Sequence, residues 1–329
     1  DGLQDGVWRF FHSNGELDYE ATYEAGTLNG YYSSYYSNHK IKSEGNFTSG
    51  KKNGVWKFYT SEGNIEMTGT LKDNIREEKW TYYYKSGTIE SEGNFSNDKQ
   101  TGIWNYYYKG GEKWKQGNFE NGIKTGTWTT WWENGKKLQE GPYVNGREDG
   151  LWMSWWDNGV KKDEGNIKGT LLLGDWKGWY ANGVLNYTGK YNTKGSKSGA
   201  WQYYYESGQP RESSSYVNGI KHGGHMQWFE KGGFVDTKGK YRRGHQSGKW
   251  TYFFETGGIS RIQNFKKGKL SGKSVSYYPN SAIQSISYYK IVDDKRKGKS
   301  QSVPDGEWIF FDKNGKEVNR MKYQDGIRK

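Results

Sequence analysis

The chain has 329 residues, a formal net charge of +12 and no cysteine; aromatics reach 18%, glycine numbers 48 and proline 4. That aromatic content excludes a disordered chain, the missing cysteine excludes disulfides, thiolate metal sites and cysteine nucleophiles, and no apolar run approaches the ~18 residues of a membrane-spanning helix. The charge is uneven: residues 1–164 hold 20 Lys and Arg against 24 Asp and Glu, a net of −4, and residues 165–329 hold 29 against 13, a net of +16. No secretory leader is readable, and a start at Asp1 without Met points to a processed or trimmed N-terminus.

Along the chain a motif recurs every 24 residues. With the glycine before each x-Trp pair as position 0, copies begin at Gly6, Gly30, Gly54, Glu78, Gly102, Gly126, Gly150 and Gly174. They continue at Gly199, Gly224, Gly248, Gly272 and Gly306, thirteen in all. Position +2 is Trp in ten copies, from Trp8 to Trp308; Met226 and Ser274 are two of the replacements. Position +15 is Gly in eight copies, position +5 is aromatic throughout, and positions +8 and +9 carry turn pairs such as Asn14-Gly15 and Asn158-Gly159.

Each copy reads as a β-hairpin, because Asn-Gly between two aromatic runs is a strong two-residue turn signal in which both residues take φ > 0. A turn centred between +8 and +9 makes paired positions sum to 17, so the +2 Trp faces the +15 Gly and position 0 faces the large residue at +17. Alternation then places +2, +15, +17 and the Ile or Leu at +11 (Leu17, Ile41, Ile65, Ile89) on one packed face, with the +5 ring on the other. In "NGREDGLWMSWWDNG" (145–159), Trp152 and Trp156 go to the packed face and Trp155 to the opposite row. The expected fold is all-β: about thirteen hairpin copies forming one long twisted antiparallel sheet or rod.

"EGNFTSGKKNGVWKFYTSEG" (44–63) and "EGPYVNGREDGLWMSWWDNG" (140–159) resemble the MORN repeat, and more closely its second bacterial variant. The resemblance covers essentially the whole chain and implies tandem hairpins stacked into a sheet, with binding or scaffolding roles at membranes and in large assemblies. Some bacterial relatives bear an antitoxin label, which nothing in these residues supports. Copies from Gly199 onward lose most +15 glycines, and "IVDDKRKGKSQSVPD" (291–305) reads as an exposed basic loop insertion. The array therefore divides into twelve repeats over 1–290, the insertion over 291–305 and a last repeat over 306–329.

No phosphate-binding loop or nucleophile elbow is present, and no cofactor is implied. His222, His225 and His245 are weak metal candidates, with no clear carboxylate beside them. Recurring Glu44, Glu92, Glu140 and Glu164 at +14 read as cross-strand partners on a polar face. The +5 row, Tyr107, Trp131, Trp155, Trp179 and Tyr204, could stack sugars or receive apolar side chains; its plainer reading is local packing on long side chains. In the basic half, Arg242, Arg243, Lys266, Lys267, Lys269, Lys295, Arg296, Lys297 and Lys299 would meet an acidic protein or an anionic membrane surface; their plainer reading is solubility.

The sequence thus points to a non-enzymatic repeat scaffold binding other protein subunits in an envelope-associated assembly, with a glycan-binding surface module as the alternative and an anionic membrane surface as a second. Nucleic acid is disfavoured as a partner, since the repeat itself accounts for the aromatics. A bacterial extracytoplasmic home, in the periplasm, outer membrane or cell surface, is expected from the missing cysteine and the Lys, Asn, Tyr and Gly-rich surface.

Overall fold

A computed structural model describes residues 2–294 and 299–329. The chain is all-β, with 29 antiparallel strands in one open sheet and no helix among the described residues. It separates into two compact units: Asp1–Val160 with Ile167–Thr170, and Lys161–Asn166 with Leu171–Lys329.

In the first unit, Lys51–Tyr59 and Ile65–Lys72 show the pattern of one copy. Gly54 pairs with Leu71, Trp56 with Gly69 and Phe58 with Met67, so the expected sum of 17 holds to that point; a bulge then pairs Tyr59 with Ile65. The bulge follows from the turn. Thr60 N–H donates to Asn64 C=O at 2.8 Å and Gly63 N–H to Thr60 C=O at 2.9 Å, which closes a three-residue loop. In such a loop the last residue takes the positive φ, as at Gly159 with φ 89, with His39 and Ser281 in that place in two copies at φ 65 and 68; Asn158 before Gly159 does not. Asn158 accepts the Val160 N–H on its side-chain oxygen at 2.9 Å, an Asx-type bond.

The two-residue turn exists, but it joins consecutive copies. Asn145 and Gly146 take φ 50 and 77 between the paired residues Val144 and Arg147. The stretch 145–159 therefore holds both turn types. Two assignments change with the register. The +11 residues Leu17, Ile41, Ile65 and Ile89 pair with the +5 rings Phe11, Tyr35, Tyr59 and Tyr83, not with the Trp face. Trp156 opens the three-residue loop, its N–H donating to Val160 C=O at 2.8 Å, while Trp152 is buried as expected.

Trp56, Trp80, Trp104 and Trp128 are the core of this unit, each at most 3% exposed. Each indole lies on the +15 glycine of the preceding copy: a Cβ on Gly45, Gly69, Gly93 or Gly117 would come within 3.0 Å of Trp56, Trp80, Trp104 or Trp128. The indole N–H then donates to the next residue of that preceding strand, Trp104 to Asn94 C=O at 3.1 Å. Rings at +4 fill the gaps, so that Trp56, Phe58, Trp80, Tyr82, Trp104, Tyr106 and Trp128 form a ladder with centroids 6.0–6.4 Å apart. Phe95 and Phe119 meet Trp104 and Trp128 edge-on at 5.1 Å.

The second unit keeps this device at Trp176, Trp201 and Trp250 and departs from it elsewhere. The copy read as starting at Gly224 starts at Gly223, which pairs with Tyr241 and takes φ 103. His225, paired with Gly239, therefore stands in the Trp position, and Met226 is its neighbour on the strand. The region read as a basic loop is partly strand: Ile283–Asp294 and Lys299–Pro304 pair from Tyr289 and Pro304 to Asp294 and Lys299. The β-branched Ile291 and Val292 suit that extension. Lys295, Arg296 and Lys297 lie outside the described residues.

Candidate functional site

Two sets of residues compete as the site: the +5 aromatic row and the basic side chains of the second unit. The row is built by the bulge, which sets each ring beside the first residue of the returning strand. Its rings are half-buried and locally capped. Within the first unit, Tyr107 donates to Glu92 Oε1 at 2.8 Å and Lys79 approaches the same carboxylate at 2.9 Å. Lys113 and Lys137 sit over the Trp131 and Trp155 rings at 5.4 Å, and Lys137 also pairs with Glu140 at 2.7 Å. Within the second unit, Lys161 covers Trp179 at 5.5 Å while pairing with Glu164 at 2.7 Å, and Tyr204 donates to Gln202 at 2.8 Å.

The electrostatics agree. The Lys79 ammonium and the Tyr107 hydroxyl hold the Glu92 carboxyl below its usual range, and burial together with that carboxylate pushes the Tyr107 phenol up to about 12. Glu44, Glu92, Glu140 and Glu164 each have a lysine partner, so the recurring +14 carboxylates neutralise their neighbours along the row.

The basic set is different. Arg242, Arg243, Lys266 and Lys267 are exposed on two successive two-residue turns, with Lys269 half-buried just beyond the second. Arg242, Arg243, Lys266 and Lys267 line one cleft together with His245 and Ser247. Among the described residues, no carboxylate pairs with any of these five cations. Lys299 is exposed on the inserted strand.

The three histidines are not brought together, and no group of three metal-ligating residues occurs among the described residues. His222 Nδ1 faces the Arg243 N–H at 3.4 Å, and His245 is exposed at the cleft. His225 is 8% exposed in its Trp position. Its Nδ1 lies 2.7 Å from the hydroxyl of Ser214, which in turn donates to Glu212 at 2.7 Å. Its ring is 5.5 Å from Trp250 and 5.2 Å from Tyr241.

Sequence reasoning missed the staples between copies. Tyr36, Tyr84, Tyr108, Tyr180 and Tyr205, all at +6, donate to the backbone C=O of the +5 residue one copy later at 2.7–2.8 Å. Asn38 and Asn134 at +8 reach the next turn's C=O at 2.8 and 2.7 Å. The recurrence of an aromatic column at +6 was the available signal.

These features define a tandem β-hairpin array whose copies interlock through Trp, Tyr and Asn side chains. Segments 4–25, 52–73, 79–97, 124–145, 172–193 and 197–218 match the family described as MORN repeat variant, and the chain is a MORN-repeat protein. No curated protein matches it. Among solved structures, similar chains occur in a crystal structure of TcdB2-TccC3-Cdc42 and in the Tc holotoxin pore of Photorhabdus luminescens. The first is 11% identical, with a TM-score of 0.18, and the match covers 97% of this chain and 17% of that one. The second is 9% identical, with a TM-score of 0.20, covering 96% and 21%. The chain thus spans about a fifth of those chains' length, and scores of this size carry neither fold nor function across.

Proposed function

We propose that the protein is a non-enzymatic repeat scaffold that docks an acidic partner protein along the turns of Arg242–Lys269, within an extracytoplasmic, envelope-associated assembly. The observation that carries this reading is the contrast in pairing. The first unit's carboxylates at Glu20, Glu44, Glu92, Asp98 and Glu140 each hold a cation, whereas Arg242, Arg243, Lys266 and Lys267 are exposed, Lys269 is half-buried, and none of the five pairs with a carboxylate among the described residues. An unbalanced charged surface steers an oppositely charged partner and fixes its register. The envelope setting is supported by composition alone, through the absence of cysteine and the Lys, Asn, Tyr and Gly-rich surface. Glycan stacking on the +5 row is less favoured, because lysines and carboxylates already cap those rings.

The test is purification from the native source at low and at high salt, followed by lysine-directed cross-linking. A stoichiometric acidic partner, released by salt and cross-linked at Lys266, Lys267 or Lys269, is the expected result. A lone protein at both salts, or cross-links confined to the first unit, would overturn the reading.

A further inference from the structure

The repeat also breaks within the first unit, at the three-residue loop of the copy that starts at Gly102. Elsewhere in that unit, loop side chains tie one copy to the next. Glu16 pairs with His39 at 3.2 Å, Asn38 and Lys40 donate to the C=O of Ser61 and Glu62, Asn64 donates to Lys85 C=O at 3.3 Å and Thr88 to Lys109 C=O at 3.1 Å. Asn134 and Lys136 make the same pair of bonds to Asp157 and Asn158 C=O at 2.7 and 2.8 Å. The copy at Gly102 carries Gly110 and Glu112 in these places. Neither side chain can donate, and among the described residues that copy makes no link of this kind. A cleft of about 670 Å³ lies there instead.

Three rings wall the cleft. Tyr84 and Tyr108 are held by their staples, each hydroxyl donating to the +5 C=O of the following copy at 2.7 and 2.8 Å. Trp114 stands outside the aromatic columns, at +12, where no other copy has a ring. The bulge between Lys113 and Lys115 turns it towards Tyr106 and Tyr108, with centroids 6.4 and 6.1 Å away, and leaves it 39% exposed. Glu112 and Glu133 line the same cleft, and among the described residues no cation pairs with either. The array fills comparable places itself. Lys137 sits over Trp155 while pairing with Glu140, Lys161 over Trp179 while pairing with Glu164, and Lys42, at +12, lies 5.9 Å from the +6 ring of Tyr36. Over Tyr84 and Tyr108 no cation lies among the described residues. The recurring set is ring, ammonium and carboxylate; this cleft has the rings and the carboxylates.

We propose that the cleft binds an alkylammonium group, seated against Tyr84, Tyr108 and Trp114 and balanced by Glu112 and Glu133. Ring faces attract a cation through their quadrupole, and rings already fixed by staples lose little freedom on binding. A small quaternary ammonium compound and the lysine side chain of a partner present the same chemistry. The site goes beyond the docking reading: it lies in the other unit and takes the opposite charge.

Choline and N-acetyl-lysine amide are the probes, each titrated into the intact protein at constant ionic strength and followed by amide and indole N–H chemical shifts. The control is choline's uncharged isostere, in which a tert-butyl group replaces the trimethylammonium. Two variants complete the comparison. Trp114→Leu keeps the fold, since Leu138 holds the same position one copy later, and the Glu112→Gln, Glu133→Gln double variant removes only charge from two exposed side chains. The expected result is a saturable shift at Trp114 and Gly110 with an ammonium probe, at least tenfold weaker with the isostere and at least fivefold weaker in each variant. Equal binding of the isostere, no saturable shift with either ammonium, or unchanged binding by either variant overturns the proposal. Tighter binding of choline assigns a small quaternary ligand, and tighter binding of the lysine probe a partner's side chain. Failure here leaves the docking reading standing, because its cations lie in the second unit.

Discussion

The ladder of the first unit and the interrupted ladder of the second differ in one pair of positions. In the first unit, Trp56, Trp80, Trp104 and Trp128 each lie on a glycine of the copy before. In the second unit, His225 meets Ser214 and Ser274 follows Gln263, both pairs buried. Tyr32 over Ala21 is an intermediate case at the start of the first unit, with Ala21 0% exposed. Where the ring shrinks, its floor grows. The two positions, about eleven residues apart, share one volume, and close packing makes the sum, not either residue alone, the conserved quantity within the molecule.

That rule can be broken most severely where both partners are extreme. Trp104→Ala removes a 2%-exposed ring and its bond to Asn94, and should cost about 3–5 kcal/mol by the usual range for buried aromatics. Denaturant unfolding gives the size, and hydrogen exchange should show the loss concentrated in the copies on either side. The rule is sharpened at the second unit's substitute. His225→Trp alone should destabilise by about 1–3 kcal/mol through overpacking on Ser214. Adding Ser214→Gly should recover most of that, a coupling of at least ~1 kcal/mol in a double-mutant cycle. Additive effects would show that the two positions do not share their space.

A difference in pH response follows from the same pair. Burial lowers the His225 pKa, and the Lys221 ammonium adds to this, while Glu212 and Asp236 act the other way. The folded protein therefore binds a proton at this site less readily than the unfolded chain. Stability from this group is full above the unfolded histidine value, ~6.5, and falls as pH drops below it. The denaturation midpoint should decline between pH 7.5 and 5, and the Ser214→Gly, His225→Trp variant should lose that part of the decline. The smallest expected effect tests the staples. Tyr108→Phe deletes the 2.8 Å bond to Trp131 C=O and should cost about 0.5–1.5 kcal/mol in equilibrium unfolding, without shifting the register.

The repeat was legible because period, turn signal and aromatic columns agree across copies, and the pairing of Trp56 with Gly69 could be read from symmetry about one turn. What symmetry hid was that two turns alternate. Asn145-Gly146 and Asn158-Gly159 are the same letters, and only the number of residues between the hydrogen-bonded partners separates a two-residue turn from a three-residue loop. The cross-strand partner of Trp56 was therefore found, while the glycine beneath its ring, Gly45 in the previous copy, was not. His225 was misplaced because two adjacent glycines, Gly223 and Gly224, offered two origins, and φ decides between them. The basic turns were visible as composition; that Arg242, Arg243, Lys266 and Lys267 line one cleft required the pairing of successive strands.

Because each buried tryptophan of the ladder rests on a neighbour's glycine, the hairpin is not the heritable module of this array. A duplication or deletion joins the +2 residue of one copy to the +15 residue of another, and every junction must match in size. Between Gly45 and Trp128 all junctions are interchangeable, so repeats there can be gained or lost in whole units without a packing defect. Around Ser214, His225, Gln263 and Ser274 each junction fits only its present neighbour. Copy number is free to drift in the first stretch and locked in the second, which is also where the exposed basic turns lie.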